Sequence, residues 1–359
     1  MKTVLFLIPT LTGGGAERVI VTLLRHLDRS RFQLTLAVVD SRQAVFRGDV
    51  PDDVEFIDLG CTRVRQALPK IIRLIWRRRP DVVFSTLGHL NLALAMLRPL
   101  LPRQTRHVAR ETIVLSHNLP SLSWPSAWAF AYRHFYGRVD RLICQSDDMR
   151  TDLVDGFGFP ATRAVLIHNP VDVPRIQMLA RQAIGMDAAW SSAPLRLVAA
   201  GRLHPQKGFD VLIEALARLD RSDWRLLLLG EGESRGELEN LARKSGIAGR
   251  IDFAGFKPNP YPYFAHAHAF VLSSRYEGLP NVILEALACA TPVIASPAPG
   301  GVRTLLQDVP GCRIAQDMSA AALAAELAAF MPGVSVPEAV LAPYAIAPIL
   351  AAYERELLA

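Results

Sequence analysis

The clearest candidate site in the sequence is a helix start that follows a strand-like apolar run. Residues 273–295 read SSRYEGLPNVILEALACATPVIA. Pro280 suits the first helical position, where its missing N–H group would have had no partner. The backbone N–H groups of residues 281–283 are then expected to be free at the positive end of the helix dipole. Such a turn binds anions, and a phosphate is the most natural one.

The same stretch contains two acids, Glu277 and Glu285. Glu285 lies three and four residues after Val282 and Asn281, so it shares their helical face. An ionised carboxylate in so apolar a helix is costly to bury unless something hydrogen-bonds to it, as a pair of sugar hydroxyls would. Residue types alone support an alternative equally well: Glu277 complements the helix dipole and Glu285 faces solvent.

Two cations follow the first strand predicted in the second half of the chain. Arg202 and Lys207 stand in the loop GRLHPQKG, residues 201–208. A guanidinium can bind a diphosphate through parallel hydrogen bonds, and a lysine adds a point charge. The alternative is a pair of solvated loop charges. That alternative suits Lys207 better than Arg202, because Arg202 comes directly after an apolar strand.

A glycine-rich turn, TGGGAER at residues 12–18, ends the first predicted strand and begins a helix. Consecutive glycines such as Gly14 and Gly15 let a backbone approach a ligand and direct helix N–H groups at it. The turn lacks the Gly-Lys-Ser/Thr ending of a triphosphate-binding loop and the spacing of a dinucleotide-binding loop. A plain tight turn is the alternative.

Strand and helix patterns alternate along the whole chain and must position these residues. Strands are predicted at residues 4–8, 34–39, 54–59, 82–85, 106–109, 142–145, 165–168, 195–200, 225–229, 251–254, 269–272 and 292–295. Helices are predicted at residues 16–27, 68–78, 90–101, 124–136, 207–219, 234–244, 280–290 and 319–330. The alternation predicts an α/β protein with two tandem doubly wound, Rossmann-like domains. Ligands bind beyond the carboxyl ends of such strands, so two edges facing each other would form a cleft.

The turn-forming cluster HNPVD at residues 168–172 marks the predicted domain boundary. Residues 1–170 form the first domain and residues 171–342 the second. A last helix, residues 343–359, is expected to pack back on the first domain. The apolar start of the chain lacks a cleavage site, so it is interpreted as a buried strand and not as a secretion signal. No stretch is long and apolar enough to predict a membrane span.

Positive charge is concentrated in the first half of a chain whose formal net charge is +6. The segment LPKIIRLIWRRR, residues 68–79, indicates a basic amphipathic helix. Such a helix fits docking on anionic lipid or binding of an anionic acceptor. A solvated basic helix is the alternative, and nucleic acid is a weaker one because no recognition pattern accompanies it. The four cysteines have no metal-ligand spacing, and Cys144 and Cys289 are interpreted as buried thiols in a reducing compartment.

Taken in order, these segments resemble the retaining, nucleotide-sugar-dependent glycosyltransferases of family four, which have the GT-B fold. The resemblance covers nearly the whole chain: GGGAER, GRLHPQKG, EGLPNVILEA, the following TPVIAS, and Gly300-Gly301. The combination of the Glu277/Glu285 pair with Arg202 and Lys207 makes it specific.

The resemblance implies a role for each residue of the second domain. Arg202 and Lys207 would hold the donor diphosphate and stabilise charge on the departing nucleotide. Glu277 would meet the donor sugar, and Glu285 would hold the ribose hydroxyls. The remaining donor contacts would be Gly14, Gly15, Gly278, Leu279, Pro280, and the amides of Asn281 and Val282. No metal or cofactor is implied, since the cations and the helix dipole stabilise the leaving group.

The first domain is expected to contact the acceptor. His89 follows strand 82–85, and Arg110 and Glu111 follow strand 106–109, so all three would lie at the edge of the cleft. Many relatives have a histidine after the latter strand that reaches the donor sugar. This chain has Arg110-Glu111 there, and His117 lies a little beyond and would compensate. A lone histidine is more often structural than catalytic.

The sequence therefore predicts a metal-independent transferase of a hexose or hexosamine from a nucleotide diphosphate, uridine rather than guanosine. The predicted acceptor is a lipid-linked glycan at the inner face of the cytoplasmic membrane, in bacterial surface polysaccharide or lipid-linked oligosaccharide assembly. A nucleotide-sugar 2-epimerase on the same fold is the alternative, disfavoured by the Glu277/Glu285 pair. A binding-only relative would have lost Arg202, Lys207 or Glu285.

Overall fold

The computed structural model describes residues 1–183, 185 and 188–359. The chain forms two compact units, Met1–Pro170 with Ile346–Ala359, and Val171–Ala345. It passes from the first unit to the second between Pro170 and Val171. It returns at Ile346, three residues after the predicted start of the last helix at residue 343.

Seven parallel strands form the sheet of the first unit. They are β1 (Lys2–Ile8), β2 (Phe32–Val38), β3 (Glu55–Asp58), β4 (Val82–Thr86), β5 (Arg106–Arg110), β6 (Arg141–Cys144) and β7 (Ala164–Leu166). Their order in the sheet is β3-β2-β1-β4-β5-β6-β7. Every residue of β4 is buried, as expected for a central strand of a parallel sheet that is covered on both faces.

The helices of Met1–Pro170 lie between these strands. They are α1 (Gly15–His26), α2 (Val64–Arg78), α3 (Gly88–Leu97), α4 (Leu115–Asn118), α5 (Pro125–Phe135) and α6 (Asp147–Thr151). The longer ones bury one stripe each at helical spacing. In α2 the buried residues are Ala67, Ile71 and Ile75, four positions apart.

Six parallel strands form the sheet of the second unit, in the order β10-β9-β8-β11-β12-β13. They are β8 (Leu195–Ala200), β9 (Trp224–Leu229), β10 (Ile251–Gly255), β11 (Ala269–Leu272), β12 (Val293–Ala295) and β13 (Arg313–Ile314). The helices are α7 (Val173–Ala180), α8 (Ala188–Ser191), α9 (Phe209–Ala217), α10 (Arg235–Lys244), α11 (Tyr261–His266), α12 (Asn281–Ala288), α13 (Val302–Leu306) and α14 (Ala320–Ala328). The predicted α/β architecture with two doubly wound parallel sheets is confirmed.

The last helix, α15 (Ile346–Leu358), belongs to the first unit. Its buried stripe of Ile349, Leu350, Tyr353 and Leu357 joins the core on the α1 side of the sheet. The ring of Tyr353 lies 6.0 Å from that of Phe84 in β4, centroid to centroid. The C-terminal helix is therefore an integral part of the first unit's core.

Several short elements have no counterpart in the sequence prediction. They are α4, α6, α7, α8, α11, α13 and the two-residue strand β13. Each is too short to show a periodic pattern of apolar residues. The long, strongly patterned strands and helices were predicted to within a few residues. No helix among the described residues is long and apolar enough to cross a membrane.

Candidate active site

Lys207 and Glu277 form an ion pair where two neighbouring strands of the second sheet end. Lys207 Nζ lies 2.6 Å from Glu277 Oε1. Lys207 follows β8, Glu277 follows β11, and these strands pair directly. Ser274 Oγ donates to the same carboxylate oxygen at 2.6 Å, and Glu277 is only 7 % exposed. Lys207 is therefore held in place by a buried acid, unlike a solvated loop charge.

The loop after β8 is fastened to the loop after β11 on both sides of Lys207. Arg275 N donates to Gln206 O at 2.8 Å, and Gln206 Nε2 donates to Tyr276 O at 3.0 Å. Ser273 Oγ donates to Lys207 O at 2.9 Å. These bonds fix the backbone that carries the ammonium group beside Glu277.

Two glycines permit this close packing of loops. Gly208 has φ +61°, and a Cβ there would lie 2.1 Å from Ser273 O. Gly300, in the loop after β12, has φ +104°, and a Cβ there would lie 2.1 Å from Glu277 O. Both positions require a left-handed backbone and leave no space for a side chain. Gly300 thus leaves the space in which the backbone of Glu277, the partner of Lys207, lies.

Arg202 lies on the same carboxyl edge, directly after β8, and its side chain is exposed. The residue after it is anchored, because Leu203 is buried and its N–H donates to Glu231 O at 2.9 Å. Among the residues that the structure describes, no carboxylate forms an ion pair with Arg202. Its guanidinium is thus available at the edge that carries Lys207.

His204, between the two cations, has a structural role in the loop. Its Nδ1 accepts a hydrogen bond from Gln206 N at 3.1 Å. Burial and the neighbouring Arg202 cation lower the pKa of His204. The neutral imidazole is the form that can accept this bond.

Helix α12 begins at Asn281, so Pro280 occupies the N-cap and not the first helical position predicted for it. The N–H group of Ile283 donates to Pro280 O at 3.0 Å. The prediction that this third amide is free was therefore wrong. The first turn of the helix nevertheless begins at the carboxyl edge of the sheet, two residues after the buried Leu279. Phosphate contact by the amides of Asn281 and Val282 stays a prediction.

Glu285 is buried in α12, with 6 % of its surface exposed. The residues on either side of it, Leu284 and Ala286, are part of the unit's core. The alternative in which Glu285 faces solvent is therefore wrong. A buried carboxylate one turn into α12 fits the predicted role of Glu285, which is to hydrogen-bond the ribose hydroxyls of the donor.

In the first unit, the backbone N–H groups of the glycine-rich turn bind the carboxylate of Glu17, which belongs to the same turn. The buried Glu17 carboxylate accepts hydrogen bonds from Gly13 N at 2.8 Å and Gly14 N at 2.7 Å, and from Thr10 Oγ1 at 2.5 Å. Gly14 was predicted to point its N–H at a ligand, and its N–H points at Glu17 instead. Glu17 stands at the third helical position, where an acid closes a capping box. The sequence shows this acid at the required offset, but the capping role of Glu17 was not predicted. Gly15 opens α1 at this turn.

Arg110 ends β5 and is buried, with 1 % exposure. Its Nη2 donates to Asn169 Oδ1 at 2.6 Å, and its Nη1 donates to Thr86 Oγ1 at 3.4 Å. Arg110 was predicted at the edge of a cleft as an acceptor contact, and its buried guanidinium binds side chains of its own unit. Asn169 comes from the turn that leaves the first unit, so a distant segment covers the guanidinium.

Glu111 is also fully buried, at 0 % exposure. Tyr136 Oη donates to Glu111 Oε2 at 2.5 Å, and Thr112 N donates to Oε1 at 2.9 Å. Burial raises the pKa of Glu111 to about 7. Glu111 was predicted at the same edge as an acceptor contact, and its buried carboxyl group binds Tyr136 and the N–H of Thr112. His89, at the start of α3, and His117, in α4, are exposed, and their roles toward an acceptor or donor stay predictions.

A buried polar network beside Glu111 was not predicted. Asn91 Nδ2 donates to Arg110 O at 2.9 Å, and Ser85 Oγ donates to Asn91 Oδ1 at 2.7 Å. Ser85 Oγ also lies 2.8 Å from His107 Nε2. Burial lowers the pKa of His107 to about 4, so this imidazole is neutral. In the sequence, this network is indicated by polar residues that interrupt apolar runs.

The structure thus gathers Arg202, Lys207, Glu277 and the start of α12 at the carboxyl edge of the second sheet. The predicted residues of the first unit follow β1, β4 and β5 of their own sheet. Among the described residues, no group of three or more His, Cys, Asp or Glu side chains could hold a metal ion.

Two family models match separate parts of the chain. One described as Glycosyltransferase Family 4 matches residues 13–175, and one described as Glycosyl transferases group 1 matches residues 194–331. An N-acetylgalactosamine-N,N'-diacetylbacillosaminyl-diphospho-undecaprenol 4-alpha-N-acetylgalactosaminyltransferase of Campylobacter jejuni is 27 % identical over 83 % of this chain and 82 % of its own. A lipopolysaccharide core biosynthesis glycosyltransferase, LpsE, of Rhizobium meliloti is 35 % identical over 46 % of each chain.

The fold is also similar to that of solved proteins. The crystal structure of Anabaena HepE in complex with UDP and glucose superposes with a TM-score of 0.81 over 100 % of both chains, at 17 % identity. This likeness concerns the fold, and the family models concern the sequence. Together they identify the chain as a member of the family-four glycosyltransferases with the GT-B fold.

Proposed function

We propose that this glycosyltransferase moves a hexose or hexosamine from a UDP-sugar to a lipid-linked glycan, with retention of the anomeric configuration. The observation that carries the proposal is the ion pair of Lys207 with the buried Glu277, beside the start of α12. A uridine donor is favoured because HepE, which shares the fold, was solved with UDP and glucose.

The proposed donor site uses charges that are fixed before the donor binds. Lys207, held by Glu277, and the exposed Arg202 would bind the diphosphate and stabilise the negative charge that develops on the leaving nucleotide. The positive end of α12 would add to this stabilisation. We propose that these groups act without a metal ion. The incoming hydroxyl would attack on the face that the phosphate leaves, which retains the configuration.

Glu277 and Glu285 would hold the two sugars of the donor. Glu277 can accept hydrogen bonds from hydroxyls of the transferred sugar, while Lys207 and Ser274 keep its carboxylate oriented. Glu285, buried one turn into α12, would accept from the ribose hydroxyls. A buried carboxylate is costly to leave without hydrogen bonds. The ribose hydroxyls would therefore replace the hydrogen bonds that Glu285 makes in the free protein.

The acceptor is proposed from the relatives and from the charge of the first unit. The C. jejuni relative extends a sugar linked through diphosphate to undecaprenol, and the R. meliloti relative acts in lipopolysaccharide core biosynthesis. Such acceptors would place the enzyme at the inner face of the cytoplasmic membrane. Helix α2 exposes Arg73, Trp76 and Arg77 opposite its buried stripe, and this face would dock on anionic lipid.

The proposal is tested by incubating the protein with a panel of nucleotide sugars, with and without polyprenyl-diphosphate-linked sugars. We expect UDP release that depends on the acceptor and persists in a chelator. C2 inversion of the free donor without any transfer would contradict the proposal in favour of an epimerase.

A further inference from the structure

Each of the two sheets has a topological switch point, where the chain stops adding strands on one side and continues on the other. Open parallel sheets bind ligands beside the loops that follow the two strands at this point. In the second sheet these strands are β8 and β11, whose loops carry Lys207 and Glu277. In the first sheet they are β1 and β4, which pair directly. The loops after β1 and β4 therefore form the equivalent binding position of the first unit.

The loop after β1 favours an uncharged ligand at this position. The N–H groups of Gly13 and Gly14, which could otherwise bind a phosphate, bind the buried carboxylate of Glu17. An anion at this turn would meet a negative charge where free N–H groups were expected, and like charges repel. The hydroxyl groups of a sugar meet no such repulsion. The ligand that suits this turn is therefore neutral and polar.

The loop after β4 has a strained backbone where it enters α3. Leu87, directly after the strand, has φ 75° and ψ 124°, which lies outside the regions that residues with a side chain normally adopt. Such strain is found mostly at active sites and at positions that hold a ligand. The conformation is stabilised by two hydrogen bonds, because the N–H groups of Leu90 and Asn91 both donate to Leu87 O at 3.0 Å.

Buried polar groups support the strained turn from inside the unit. A Cβ at Gly88 would lie 2.6 Å from Tyr132 Oη and 3.2 Å from Glu111 Oε1. These two atoms occupy the space that a side chain would need, so the backbone at Gly88 packs directly against them. The turn that carries the next residue, His89, is therefore anchored to the core of the unit.

His89 is exposed at the start of α3. Among the residues that the structure describes, none forms a hydrogen bond or an ion pair with its imidazole. The surrounding atoms nevertheless desolvate part of the ring, and this burial lowers the pKa of His89. A neutral imidazole has one nitrogen that donates and one that accepts. A sugar hydroxyl, which also donates and accepts, matches both.

We propose that His89 hydrogen-bonds a hydroxyl group of the acceptor sugar at the switch point of the first sheet. The strained turn at Leu87 and Gly88 holds the imidazole at this position, and Glu17 makes the neighbouring loop unfavourable for phosphate. The inference rests on the proposed function, because it assigns a contact to the acceptor proposed there.

Steady-state kinetics with a UDP-sugar and farnesyl-diphosphate-linked N-acetylgalactosamine test this assignment. His89→Ala should raise KM for the acceptor about three- to tenfold, the usual effect of losing one neutral hydrogen bond, while KM for the donor stays unchanged. His134→Ala, at an exposed histidine of α5, is the matched control and should behave as wild type. An unchanged acceptor KM, or a rise in the donor KM instead, would overturn the assignment.

Analogues of the same acceptor that each lack one hydroxyl group show whether His89 acts by direct contact. Removing the hydroxyl that His89 binds should raise KM of the wild type about as much as His89→Ala does. The same removal should have little further effect in His89→Ala, because the two changes delete one interaction. If every analogue raises KM by the same factor in both proteins, His89 contacts none of these hydroxyls and the inference fails.

The wild-type reaction separates this inference from the proposed function. Transfer by the wild type, together with a normal acceptor KM in His89→Ala, would contradict the role of His89 and leave the proposed function intact. Absence of transfer by the wild type from every UDP-sugar would contradict the proposed function, and the role of His89 would fall with it.

Discussion

The ammonium group of Lys207 is bound 2.6 Å from Oε1 of Glu277, across two loops that follow adjacent strands. Glu277 is held in turn by Ser274 and by its own N–H bond to Pro299 O at 2.8 Å. Charge at the proposed diphosphate site is thus fixed by the fold, so little reorganisation is needed when the donor binds.

Lys207→Ala and Glu285→Ala should each lower kcat/KM for transfer by about 10²-fold or more while the protein stays folded. This is the usual cost of removing one preorganised group that stabilises a transition state or positions a substrate. Steady-state UDP release measures the effect. Lys244→Ala, at an exposed lysine of the same unit, is the matched control and should retain activity. Full activity of either site variant would remove that residue from the proposed site.

Arg275→Ala should raise KM for the donor more than it lowers kcat. Arg275 donates to Pro205 O at 2.6 Å and forms a two-pronged ion pair with Asp210, so it braces the loop of Lys207 without touching the proposed diphosphate position. Burial opposes ionisation of Asp210, but the bonds from Arg275 prevail and lower its pKa. Donor titrations at saturating acceptor separate the two constants, and an unchanged KM would refute the bracing role.

Gly300→Ala should reduce transfer severely and lower the melting temperature. A methyl group there meets the carbonyl of Glu277 at 2.1 Å, so the loop that carries Glu277 must move. Gly236→Ala is the control, because Gly236 lies in α10 with open space around it. That substitution should stabilise the protein by about 0.5–1 kcal/mol. Scanning calorimetry and the activity assay together check both expectations, and wild-type behaviour of Gly300→Ala would contradict the packing described for the loop.

Glu111→Gln should make the protein's stability less sensitive to pH above about pH 5. The pKa of Glu111 is raised from 4.5 to about 7 by burial, so the folded state retains a proton that the unfolded state releases. Stability contributed by the neutral carboxyl is present below the unfolded pKa and is lost as pH rises toward 7, by about 3 kcal/mol at most. Relative to wild type, the variant should gain melting temperature between about pH 5 and pH 8. A constant difference across that range would contradict the raised pKa.

The second-unit site could largely be predicted from sequence because its signals are local. Glycine, proline and charge at fixed offsets after a strand determine where Lys207, Glu277 and the start of α12 lie. Because the strands are parallel, the residues that follow them lie together at the carboxyl edge of the sheet. Residue types left burial and solvent exposure of Glu285 equally open, and the packing of α12 into the core of the second unit decides for burial.

The first unit was harder to predict because the groups that cover its polar residues come from distant segments. Asn169 binds Arg110 and Tyr136 binds Glu111. No local sequence pattern around residues 110–111 predicts either partner. The residues at the end of β5 were therefore predicted at the edge of a cleft, and the structure shows them in a buried network. Glu17 differs, since its capping pattern was local and could have been recognised.

Acceptor-dependent transfer with retention is tested by UDP release from a UDP-sugar by the wild-type protein, measured with and without a polyprenyl-diphosphate-linked sugar, together with NMR of the product's anomeric centre. We expect release that requires the acceptor and is lost in Lys207→Ala, and a product with the same anomeric configuration as the donor. Acceptor-independent turnover, or a product of inverted configuration, would contradict it.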